Sequence, residues 1–464
     1  MFRGRIKNIH FVGIGGSGMS GIAEVLLNMG YRVTGSDLRK SKVTERLVSL
    51  GALVYEGHAR SNIKEADCVV YSSAVRMDNP ELEEARRLGI PIIPRAEMLS
   101  ELMRMKYGIA IAGTHGKTTT TSMVASILSA AGLDPTVVIG GRLLSTGSNA
   151  RLGGGEFLVA EADESDGSFL KLSPVLSVIT NIDREHMEHY RDMDEVKRAY
   201  VEFANRVPFY GCTLLYFDHP VIQDILPQVK RRYRTYGLSP QADIHATAVE
   251  QKRGRTRFDV VAEEELLGRV EIGLPGEHNV CNALAAVGIA LELGIDKEKI
   301  VEGLRSFRGV ERRFQIKADI GGVLVVDDYG HHPVEIRAVL GAIKKNWQRR
   351  TVAVFQPHRY SRTRDLFMDF VHAFSDADVV VLTEIYPAGE EPIEGVSSKA
   401  LYEAMKEAGY RNIHYIERSK DVALFLESAV RRGDMVITLG AGDIWQAGER
   451  FVRLLEKRNS VATG

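Results

Sequence analysis

The chain has 464 residues, with 60 basic and 61 acidic side chains and 44% hydrophobic residues. At roughly 150 residues per domain, this length predicts about three domains, and the hydrophobic content is sufficient for ordinary buried cores. The balanced charge argues against a protein that binds nucleic acid or a membrane surface, because the binding faces of such proteins usually bias the total charge.

Three further features bear on localisation. The apolar runs have the length of strands and are far shorter than the ~20 residues of a membrane-spanning helix. Residues 1–7 contain no apolar core, so we expect no signal peptide. Cys68, Cys212 and Cys281 are widely spaced and lack metal-ligand spacing, which is typical of reduced, structural thiols. Together these features predict a cytoplasmic protein without a membrane span.

Residues 1–106 alternate between two kinds of segment. Strand-type runs at 9–14 and 31–36 flank a helix-type segment at 20–29, and the segments 44–50, 67–72 and 80–88 continue the alternation. This pattern predicts a parallel sheet wound by helices. Residues 98–106 are expected to form a helix and a linker into a second domain.

The first strand is followed by a glycine-rich loop. Gly13, Gly15 and Gly18 form the G-x-G-x-x-G pattern between a strand and a helix, and Asp37 follows at the end of the second strand. This pattern predicts a loop that holds a diphosphate, with Asp37 placed to bind ribose hydroxyls. NAD and a UDP-sugar both satisfy it, and a purely structural tight turn remains an alternative.

The second segment opens with the sequence Gly-Thr-His-Gly-Lys-Thr-Thr-Thr at 113–120, between an apolar run at 107–112 and a helix-type segment at 119–131. Glycines in such a loop let backbone N–H groups surround phosphate oxygens at a helix N-terminus. Lys117 is placed to reach the outer phosphates of ATP, and the Thr118 hydroxyl to bind Mg2+. Only two residues separate Gly113 from Gly116, fewer than in the general pattern, but a turn without a ligand would not need the lysine.

The rest of this segment predicts a mixed sheet. Alternating, charged residues at 243–271 favour antiparallel strands beside a parallel sheet. The other predicted strands and helices are strands 157–161, 175–180 and 212–217 and helices 194–205, 282–293 and 301–307.

Acidic residues follow the strand at 157–161. Glu161 and Asp163 point to one face if the strand continues through them. Carboxylates at a strand end near a phosphate loop suit Mg2+, which prefers oxygen ligands shared with phosphates. A solvated loop is the alternative, and we favour the metal interpretation for Glu161 while leaving Asp163 and Asp166 open.

Polar residues also follow later elements of the second segment. His186 could bind a metal, act as a base or simply be exposed. Asn279 and Asn282 precede a predicted helix and could contact adenine or act only as helix caps.

Residues 313–464 again alternate between strands and helices. Two strand ends carry ligand-type residues, at 327–333 and 356–364, and the carboxyl ends of strands are where ligands bind in open α/β folds. Arg359 and Arg362 offer planar groups for a carboxylate or phosphate, with surface charge as the alternative. The predicted elements are strands 323–327, 351–355, 378–383 and 435–439 and helices 334–343, 365–374, 400–408, 421–430 and 445–457.

Taken in order, these motifs identify a family. The chain resembles the ATP-dependent Mur ligases of peptidoglycan synthesis over almost its whole length, and the short phosphate loop is the form that this family uses. The resemblance implies an α/β protein of three domains. They are a Rossmann-like parallel sheet that binds a UDP-sugar (1–106), a central P-loop ATPase-type mixed sheet that binds ATP (107–312), and a C-terminal Rossmann-like sheet that binds the amino acid and closes the site (313–464). The motifs that carry the resemblance lie at 13–20, 113–118, 161–168, 180–189, 276–282, 312–314, 327–333, 358–362 and 440–444.

The resemblance also implies roles for individual residues. Those expected to bind the nucleotide sugar are Gly15, Gly16, Ser17, Gly18, Asp37, His58 and Ser72. Those expected to bind ATP are Gly113, Thr114, His115, Gly116, Lys117, Thr118, Thr119, Asn279, Arg312, Asp328 and His331. Mg2+ would be held by Thr118, Glu161 and His186, and catalysis would involve Lys117, His186, His358, Arg359 and Arg362.

The similarity is greatest to the branch that joins L-alanine to UDP-N-acetylmuramate. The implied reaction passes through an acyl phosphate and uses ATP and Mg2+, with His358 as a candidate base for the amine. Several members carry a carbamylated lysine, for which the sequence shows no counterpart. The protein is expected to be a monomer or a weak homodimer.

Three alternatives remain at this point. A recycling ligase that attaches a preformed peptide to the same nucleotide sugar would share nearly every motif. An NAD-dependent dehydrogenase would leave the phosphate loop and the acidic run unexplained. A regulatory ATP-binding module would need neither the first glycine loop nor the arginine-rich strand end.

Overall fold

The computed structural model describes residues 6–72, 74–140, 150–252 and 254–463. Within these residues it contains three separate β-sheets, and no helix among them is long and apolar enough to cross a membrane. Contacts divide the chain into two compact units. The first comprises Met1–Val249, Arg257–Ile272 and Asn279–Val310, and the second Glu250–Thr256, Gly273–His278 and Glu311–Gly464.

The N-terminal sheet is wholly parallel, with strand order β3-β2-β1-β4-β5. The chain reverses its direction of winding between β1 and β4, and the crevice at such a point is where ligands bind in open α/β sheets. Its elements are β1 Asn8–Val12, α1 Ser17–Asn28, β2 Arg32–Asp37, α2 Lys42–Ser49, β3 Leu53–Glu56, β4 Cys68–Tyr71, α3 Pro80–Leu88, β5 Ile92–Pro94 and α4 Arg95–Arg104.

The central sheet has the strand order β15-β14-β13-β12-β11-β10-β6-β9-β7-β8. Strands β6, β7, β9, β10, β11 and β12 pair in parallel, whereas β7 and β8 are antiparallel. Its elements are β6 Tyr107–Ala112, α5 Lys117–Ala130, β7 Thr136–Val138, β8 Ala150–Arg151, β9 Phe157–Glu161, β10 Leu176–Ile179, α6 Met193–Ala204, β11 Cys212–Tyr216, α7 Pro220–Ile225, β12 Tyr233–Gly237, β13 Ile244–Lys252, β14 Arg255–Ala262, β15 Glu265–Ile272, α8 Glu277–Glu292 and α9 Lys297–Ser306.

The C-terminal sheet is parallel except for its edge strand β16, in the order β16-β17-β21-β18-β19-β20. Its elements are β16 Gln315–Ile320, β17 Val323–Asp328, α10 Pro333–Asn346, β18 Thr351–Phe355, α11 Tyr360–Asp365, α12 Phe367–Val371, β19 Val379–Leu382, α13 Ser398–Glu407, β20 Ile413–Tyr415, α14 Val422–Ala429, β21 Met435–Leu439 and α15 Trp445–Thr463.

The central strand of each sheet is apolar and almost completely buried. In β1, Ile9, Phe11 and Val12 have no exposed surface, and in β18 the same is true of Val354 and Phe355. Strands buried on both faces favour continuous apolar runs over alternation. The carboxyl end of each strand then emerges from a rigid core, so that the loop after it is held in place.

The predicted α/β class is confirmed, with three sheets of which the first is parallel. The antiparallel strands expected at 243–271 are confirmed, because β13, β14 and β15 are neighbours in the sheet and follow one another too closely along the chain for a parallel crossover. The domain boundaries near 106 and 312 stay a prediction.

One predicted helix is wrong. Residues 365–374 were expected to form a single helix, but two short helices, α11 and α12, meet at Leu366. The backbone of Leu366 has φ −116° and ψ +21°, which is outside the helical region and ends one helix before the next begins. Short strands such as β3, β5, β12 and β20 were missed because they lack long apolar runs.

Candidate active site

The first glycine loop is fastened to the neighbouring strand. The N–H groups of Gly13 and Ile14 donate to the Ser36 carbonyl at 2.9 and 3.0 Å, and the Gly15 N–H donates to Asp37 Oδ2 at 2.8 Å. A Cβ atom on Gly15 would lie 2.8 Å from that same oxygen. One oxygen of Asp37, predicted to bind ribose, therefore holds the loop itself at the point where the winding of the sheet reverses.

The other residues predicted for the nucleotide sugar surround this loop. Gly16 caps α1, and Ser17 begins that helix, although its side chain lies outside the described part of the structure. The Ser72 N–H donates to the Val12 carbonyl at 3.3 Å, and His58 Nδ1 lies 2.8 Å from Ser36 Oγ.

Arg95, the first residue of α4, was not predicted from the sequence. A Cβ atom on Gly18 would lie 2.9 Å from Arg95 Nη1, and Arg95 Nη2 donates to Asp163 Oδ2 at 3.0 Å. Arg95 therefore connects the first glycine loop to the acidic segment after β9.

The phosphate loop between β6 and α5 requires its two glycines. Gly113 and Gly116 have φ of +128° and +83°, a region that residues with a side chain rarely adopt. A Cβ atom would lie 2.0 Å from Thr180 Oγ1 at Gly113 and 2.5 Å from Asn282 Oδ1 at Gly116. Close approach of β10 and α8 thus explains both glycines.

Residues after β10 hold the middle of the phosphate loop. His115 donates its N–H to Asn181 Oδ1 at 2.7 Å, and its carbonyl accepts from Thr180 Oγ1 at 2.5 Å. The Thr114 N–H donates to the Asn181 carbonyl at 3.2 Å. These bonds fix the loop conformation through a neighbouring strand of the same sheet.

Asp183 adds an ionic contact to the same loop. Its carboxylate lies 3.1 Å from His115 Nε2 and 3.5 Å from His219 Nε2. Burial alone would raise the pKa of Asp183, but hydrogen bonds from the two histidines hold it well below its usual range. Neither Asp183 nor His219 was singled out in the sequence, because a lone Asp or His after a strand resembles ordinary surface polarity.

The side chain of Lys117 forms an ion pair with a carboxylate of the same unit. Its Nζ donates to both oxygens of Glu164 at 2.8 Å and to the carbonyls of Gly113 and Thr114 at 2.5 and 3.2 Å. Glu164 is only 4% exposed. Burial would lower the pKa of Lys117, but Glu164 and other nearby carboxylates raise it overall, so that the ammonium stays charged. Glu164 was missed because it sits in an acidic run from which the sequence alone selects no single partner.

The other carboxylates of that run have separate partners. Glu161 Oε1 accepts from the Gly140 N–H at 2.9 Å, and Asp166 Oδ1 accepts from the Ser168 N–H at 3.0 Å. Asp163 is paired with Arg95, and Glu161 is the last residue of β9.

His186 lies beside the same ion pair. Its Nε2 is 3.9 Å from Glu164 Oε1, and its Nδ1 is 3.5 Å from Glu188. Burial would lower the pKa of His186, but the surrounding glutamates, first Glu188, raise it.

The start of α8 reaches the phosphate loop from another side. Thr120 Oγ1 donates to Asn282 Oδ1 at 3.2 Å, and Asn282 Nδ2 donates to Asn279 Oδ1 at 3.2 Å. Thr118, Thr119 and both asparagines are buried. This arrangement supports α5, and the predicted contact of Asn279 with adenine stays a prediction.

In the second unit, Arg312 and Asp328 hold the segment before β16. Arg312 donates to Asp327 Oδ2 at 3.1 Å, to the Gly442 carbonyl at 3.2 Å and to the Gly440 carbonyl. Asp328 accepts from the N–H groups of Phe314 and Gly330, both at 2.7 Å. Burial raises the pKa of Asp328.

The arginine-rich strand end forms a second polar group. His358 stacks on Tyr386 with ring centroids 5.5 Å apart and lies 5.9 Å from the ring of His331. Arg362 Nη1 is 3.2 Å from both the ring Nδ1 and the carbonyl of His358. The structure therefore brings together the predicted His331, His358 and Arg362.

Arg359 is the residue that caps the N-terminus of α11, beside this group. Its N–H donates to the Tyr386 carbonyl at 2.9 Å, and Glu390 lies 4.0 Å from its guanidinium. Glu390 also accepts from the N–H and hydroxyl of Ser361 at 3.0 and 2.6 Å. Tyr386 and Glu390 were missed because they lie in a loop with no periodic pattern.

Three of the predicted site residues have strained backbones. His186, Arg312 and Arg359 have φ of +58°, +59° and +70°. A residue other than glycine held in this region costs of order 1–3 kcal/mol and persists where the surrounding structure fixes it, which is common at ligand-binding sites.

The donor set near the phosphate loop suits a shared magnesium ion. Thr118 offers a hydroxyl, Glu161 a carboxylate and His186 an imidazole, and Mg2+ is usually bound by one or two carboxylates together with substrate phosphates. In the portion of the chain that the structure describes, no group of three or more His, Cys, Asp or Glu residues is assembled to hold a metal.

Comparison with known proteins follows the same three segments. The chain matches the Mur ligase family catalytic domain over residues 8–107, the Mur ligase middle domain over 111–290 and the Mur ligase glutamate ligase domain over 312–442.

Individual relatives match almost the entire chain. A UDP-N-acetylmuramate–L-alanine ligase of Geotalea uraniireducens (strain Rf4) is 59% identical over 453 residues, which is 98% of this chain and 99% of the relative. The solved UDP-N-acetylmuramate–alanine ligase of Thermotoga maritima is 30% identical with a TM-score of 0.83, covering 97% of this chain and 99% of that one. A murein peptide ligase of Psychrobacter arcticus 273-4 is 25% identical with a TM-score of 0.70, covering 97% and 98%.

Proposed function

The chain belongs to the Mur ligase family, and we propose that it joins L-alanine to the lactyl carboxylate of UDP-N-acetylmuramate in peptidoglycan synthesis, using ATP. The observation that carries this proposal is the glycine-bearing phosphate loop with Lys117, in a chain that is 59% identical to a relative named for that activity and that covers 99% of that relative's length. These relatives favour L-alanine over a preformed peptide as the amine substrate.

The chemistry requires that the carboxylate be activated. An oxygen of the lactyl carboxylate attacks the γ-phosphorus of ATP, the bond from that phosphorus to the β-phosphate oxygen breaks, and ADP leaves. The neutral amine of L-alanine then attacks the acyl carbon, and the bond to the phosphate oxygen breaks to release inorganic phosphate. The proton lost by the amine passes to a base, for which His358 is the candidate.

Lys117 is the group proposed to screen the negative charge of the phosphates. Its ammonium now donates to Glu164 at 2.8 Å. We infer that phosphate oxygens replace part of this contact when ATP binds, with the charge on Glu164 then balanced by other cations near the loop.

Thr118, Glu161 and His186 would hold Mg2+, which supplies charge neutralisation between the attacking carboxylate and the phosphates. Of these, Thr118 is fixed by its place in the first turn of α5, and Glu161 by the end of β9.

The second unit is proposed to bind the amino acid. The guanidinium groups of Arg359 and Arg362 can pair with the carboxylate of L-alanine. The stacking of His358 on Tyr386 restricts the orientation of the imidazole. We further propose a cytoplasmic location, in keeping with three buried cysteine thiols, and a monomer or weak homodimer, which light scattering would measure.

The test is a phosphate-release assay in which ATP, UDP-N-acetylmuramate and L-alanine are omitted in turn. We expect turnover only with all three substrates. Robust turnover without the nucleotide sugar would refute the proposal, and preference for a murein tripeptide over L-alanine would instead identify the recycling activity. Turnover of NAD with the sugar absent would favour a dehydrogenase.

A further inference from the structure

A buried carboxylate lies behind the first glycine loop and has no place in the proposed chemistry. Glu81 is the second residue of α3 and has no exposed surface. Its N–H donates to Asn79 Oδ1, the helix cap, at 2.9 Å. The N-terminus of a helix favours negative charge, which helps to keep this carboxylate ionised.

The contacts of the Glu81 carboxylate are with hydrogen-bond donors. Oε1 accepts from Asn62 Nδ2 at 2.6 Å and from the Ala59 N–H at 3.3 Å. Oε2 accepts from Ser36 Oγ at 2.5 Å and lies 3.5 Å from His10 Nε2 and 3.4 Å from His58 Nδ1. Burial would raise the pKa of Glu81, but the bonds from His10, Ser36 and Asn62 lower it overall.

The hydrogen bond from Ser36 to Glu81 determines the direction of the hydrogen bond between Ser36 and His58. A serine hydroxyl has one proton, and Ser36 gives it to Glu81. The oxygen of Ser36 therefore accepts from His58 Nδ1, which lies 2.8 Å away. With the proton on Nδ1, the lone pair of a neutral His58 ring is on Nε2.

The same residues also position the glycine loop. The Ser36 carbonyl accepts from the N–H groups of Gly13 and Ile14. Gly57, which precedes His58, donates its N–H to the Asp37 carbonyl at 2.8 Å. His58 thus lies at the carboxyl edge of the sheet near the loop, and 15% of its side chain is exposed.

We propose that Glu81 is a positioning residue that acts through Ser36 to keep His58 in the Nδ1-protonated form, so that Nε2 accepts a hydrogen bond from the bound uridine nucleotide. The donors that such a nucleotide offers are the imide N–H of the uracil ring and the ribose hydroxyls. This inference rests on the proposed function, because it needs the uridine nucleotide to bind at the first glycine loop.

The hydrogen bonds from His58 to Ser36 and from Ser36 to Glu81 form a relay. Glu81→Gln reverses the direction of both bonds while nearly preserving the shape of the side chain. The glutamine amide can donate to Ser36, which then donates to His58 Nδ1 and moves the ring proton to Nε2. In the full-length protein with 15N-labelled histidine, we expect NMR to show the Nδ1-protonated ring for His58 in the wild type and the Nε2-protonated ring in Glu81→Gln. The same tautomer in both proteins would overturn the proposal.

Binding of UDP, measured by calorimetry, tests the consequence. Loss of one well-formed hydrogen bond at a buried site predicts roughly tenfold weaker binding to Glu81→Gln. N3-methyl-UDP, 2′-deoxy-UDP and 3′-deoxy-UDP identify the donor, because the analogue that lacks it should bind the two proteins equally. Glu83→Gln, an exposed neighbour on α3, is the control and should bind UDP as the wild type does.

The outcomes separate this inference from the proposed function. Wild-type protein that does not bind UDP would refute the nucleotide-sugar site, whereas equal affinity of the wild type and Glu81→Gln would refute only the role of Glu81. In the ligation assay, we expect a raised KM for UDP-N-acetylmuramate with kcat unchanged.

A second variant tests the same proposal if Glu81→Gln does not fold. Ser36→Ala breaks the same relay, and it should weaken UDP binding by a similar factor if Glu81 acts through Ser36. Combining Glu81→Gln with His58→Ala should add little to the effect of His58→Ala alone. Additive losses in the double variant would mean that Glu81 acts independently of His58 and would overturn the proposal.

Discussion

The two glycine loops of the first unit follow similar strands but are held by different interactions. The N-terminal loop is held by backbone bonds to Ser36 and by Asp37, over a buried polar network. The phosphate loop contains an ammonium group, Lys117, paired with the buried carboxylate of Glu164. Two glycine-rich loops that each follow a buried parallel strand can therefore suit ligands that need different amounts of positive charge. The difference comes from the residues that hold each loop.

Substitution of Lys117 should have the largest effect. Lys117→Met removes the positive charge opposite the phosphates, and loss of such an electrostatic contact lowers kcat by roughly 10^2–10^3-fold. Binding of UDP-N-acetylmuramate, measured by calorimetry, should be retained because the N-terminal loop uses other contacts. The control is Lys197→Met on α6, whose partner Asp224 lies on the surface, and loss of sugar binding in Lys117→Met would contradict separate loops.

Gly116→Ala should have the next largest effect. The added Cβ would lie 2.5 Å from Asn282 Oδ1 at a φ of +83°, and the left-handed backbone alone costs roughly 1–2 kcal/mol. We expect a raised KM for ATP and a lower melting temperature in calorimetric scans. Gly132→Ala is the matched control, since its φ is +75° and no atom lies within 4 Å of the added Cβ. Equal effects of the two variants on KM would show that loop packing is unimportant.

Arg95→Met tests whether the two loops are independent. Because the Arg95 side chain occupies the space that a Cβ atom on Gly18 would need and pairs with Asp163, we expect KM to rise for both ATP and the nucleotide sugar. A partly exposed ion pair contributes about 1 kcal/mol, so each of the two KM values should rise several-fold. Arg104→Met, at the exposed end of the same helix, should leave both constants unchanged. A rise confined to the nucleotide sugar would restrict Arg95 to the first loop.

The smallest effect concerns pH and stability. The donors around Glu81 hold its pKa below the usual 4.5, so the ionised carboxylate stabilises the fold fully above pH 4.5 and loses this effect as the pH falls through its folded pKa. The difference in unfolding free energy between the wild type and Glu81→Gln should therefore shrink below pH 4.5. His10 and His58 face the same carboxylate. Urea titrations at several pH values measure the difference, and a constant difference down to pH 3 would oppose this account.

Much of the fold was predictable because its central strands are continuous apolar runs between glycine-rich loops. The phosphate loop was recognisable from Gly113, Gly116 and Lys117, since backbone geometry and charge both restrict the residues allowed there. The helix break at Leu366 was not predictable, because nothing in the local pattern distinguishes that residue from the interior of a helix.

The partners of the site residues were harder to predict. Glu164, Glu81 and Glu390 look like ordinary surface carboxylates in the sequence, and only the tertiary fold places Lys117, His58 and Arg359 near them. Asp37 shows the opposite case, since its position was predicted but one of its oxygens binds the Gly15 N–H. A sequence pattern can locate a ligand loop, whereas the groups that orient it depend on which strands become neighbours.

The central claim is that the chain activates a carboxylate as an acyl phosphate. UDP-N-acetylmuramate with 18O in both lactyl carboxylate oxygens should be ligated to L-alanine with ATP, and the released phosphate analysed by mass spectrometry. The account predicts one 18O atom in each phosphate released and one retained in the new amide. Phosphate without 18O, formed together with the ligated product, would contradict it.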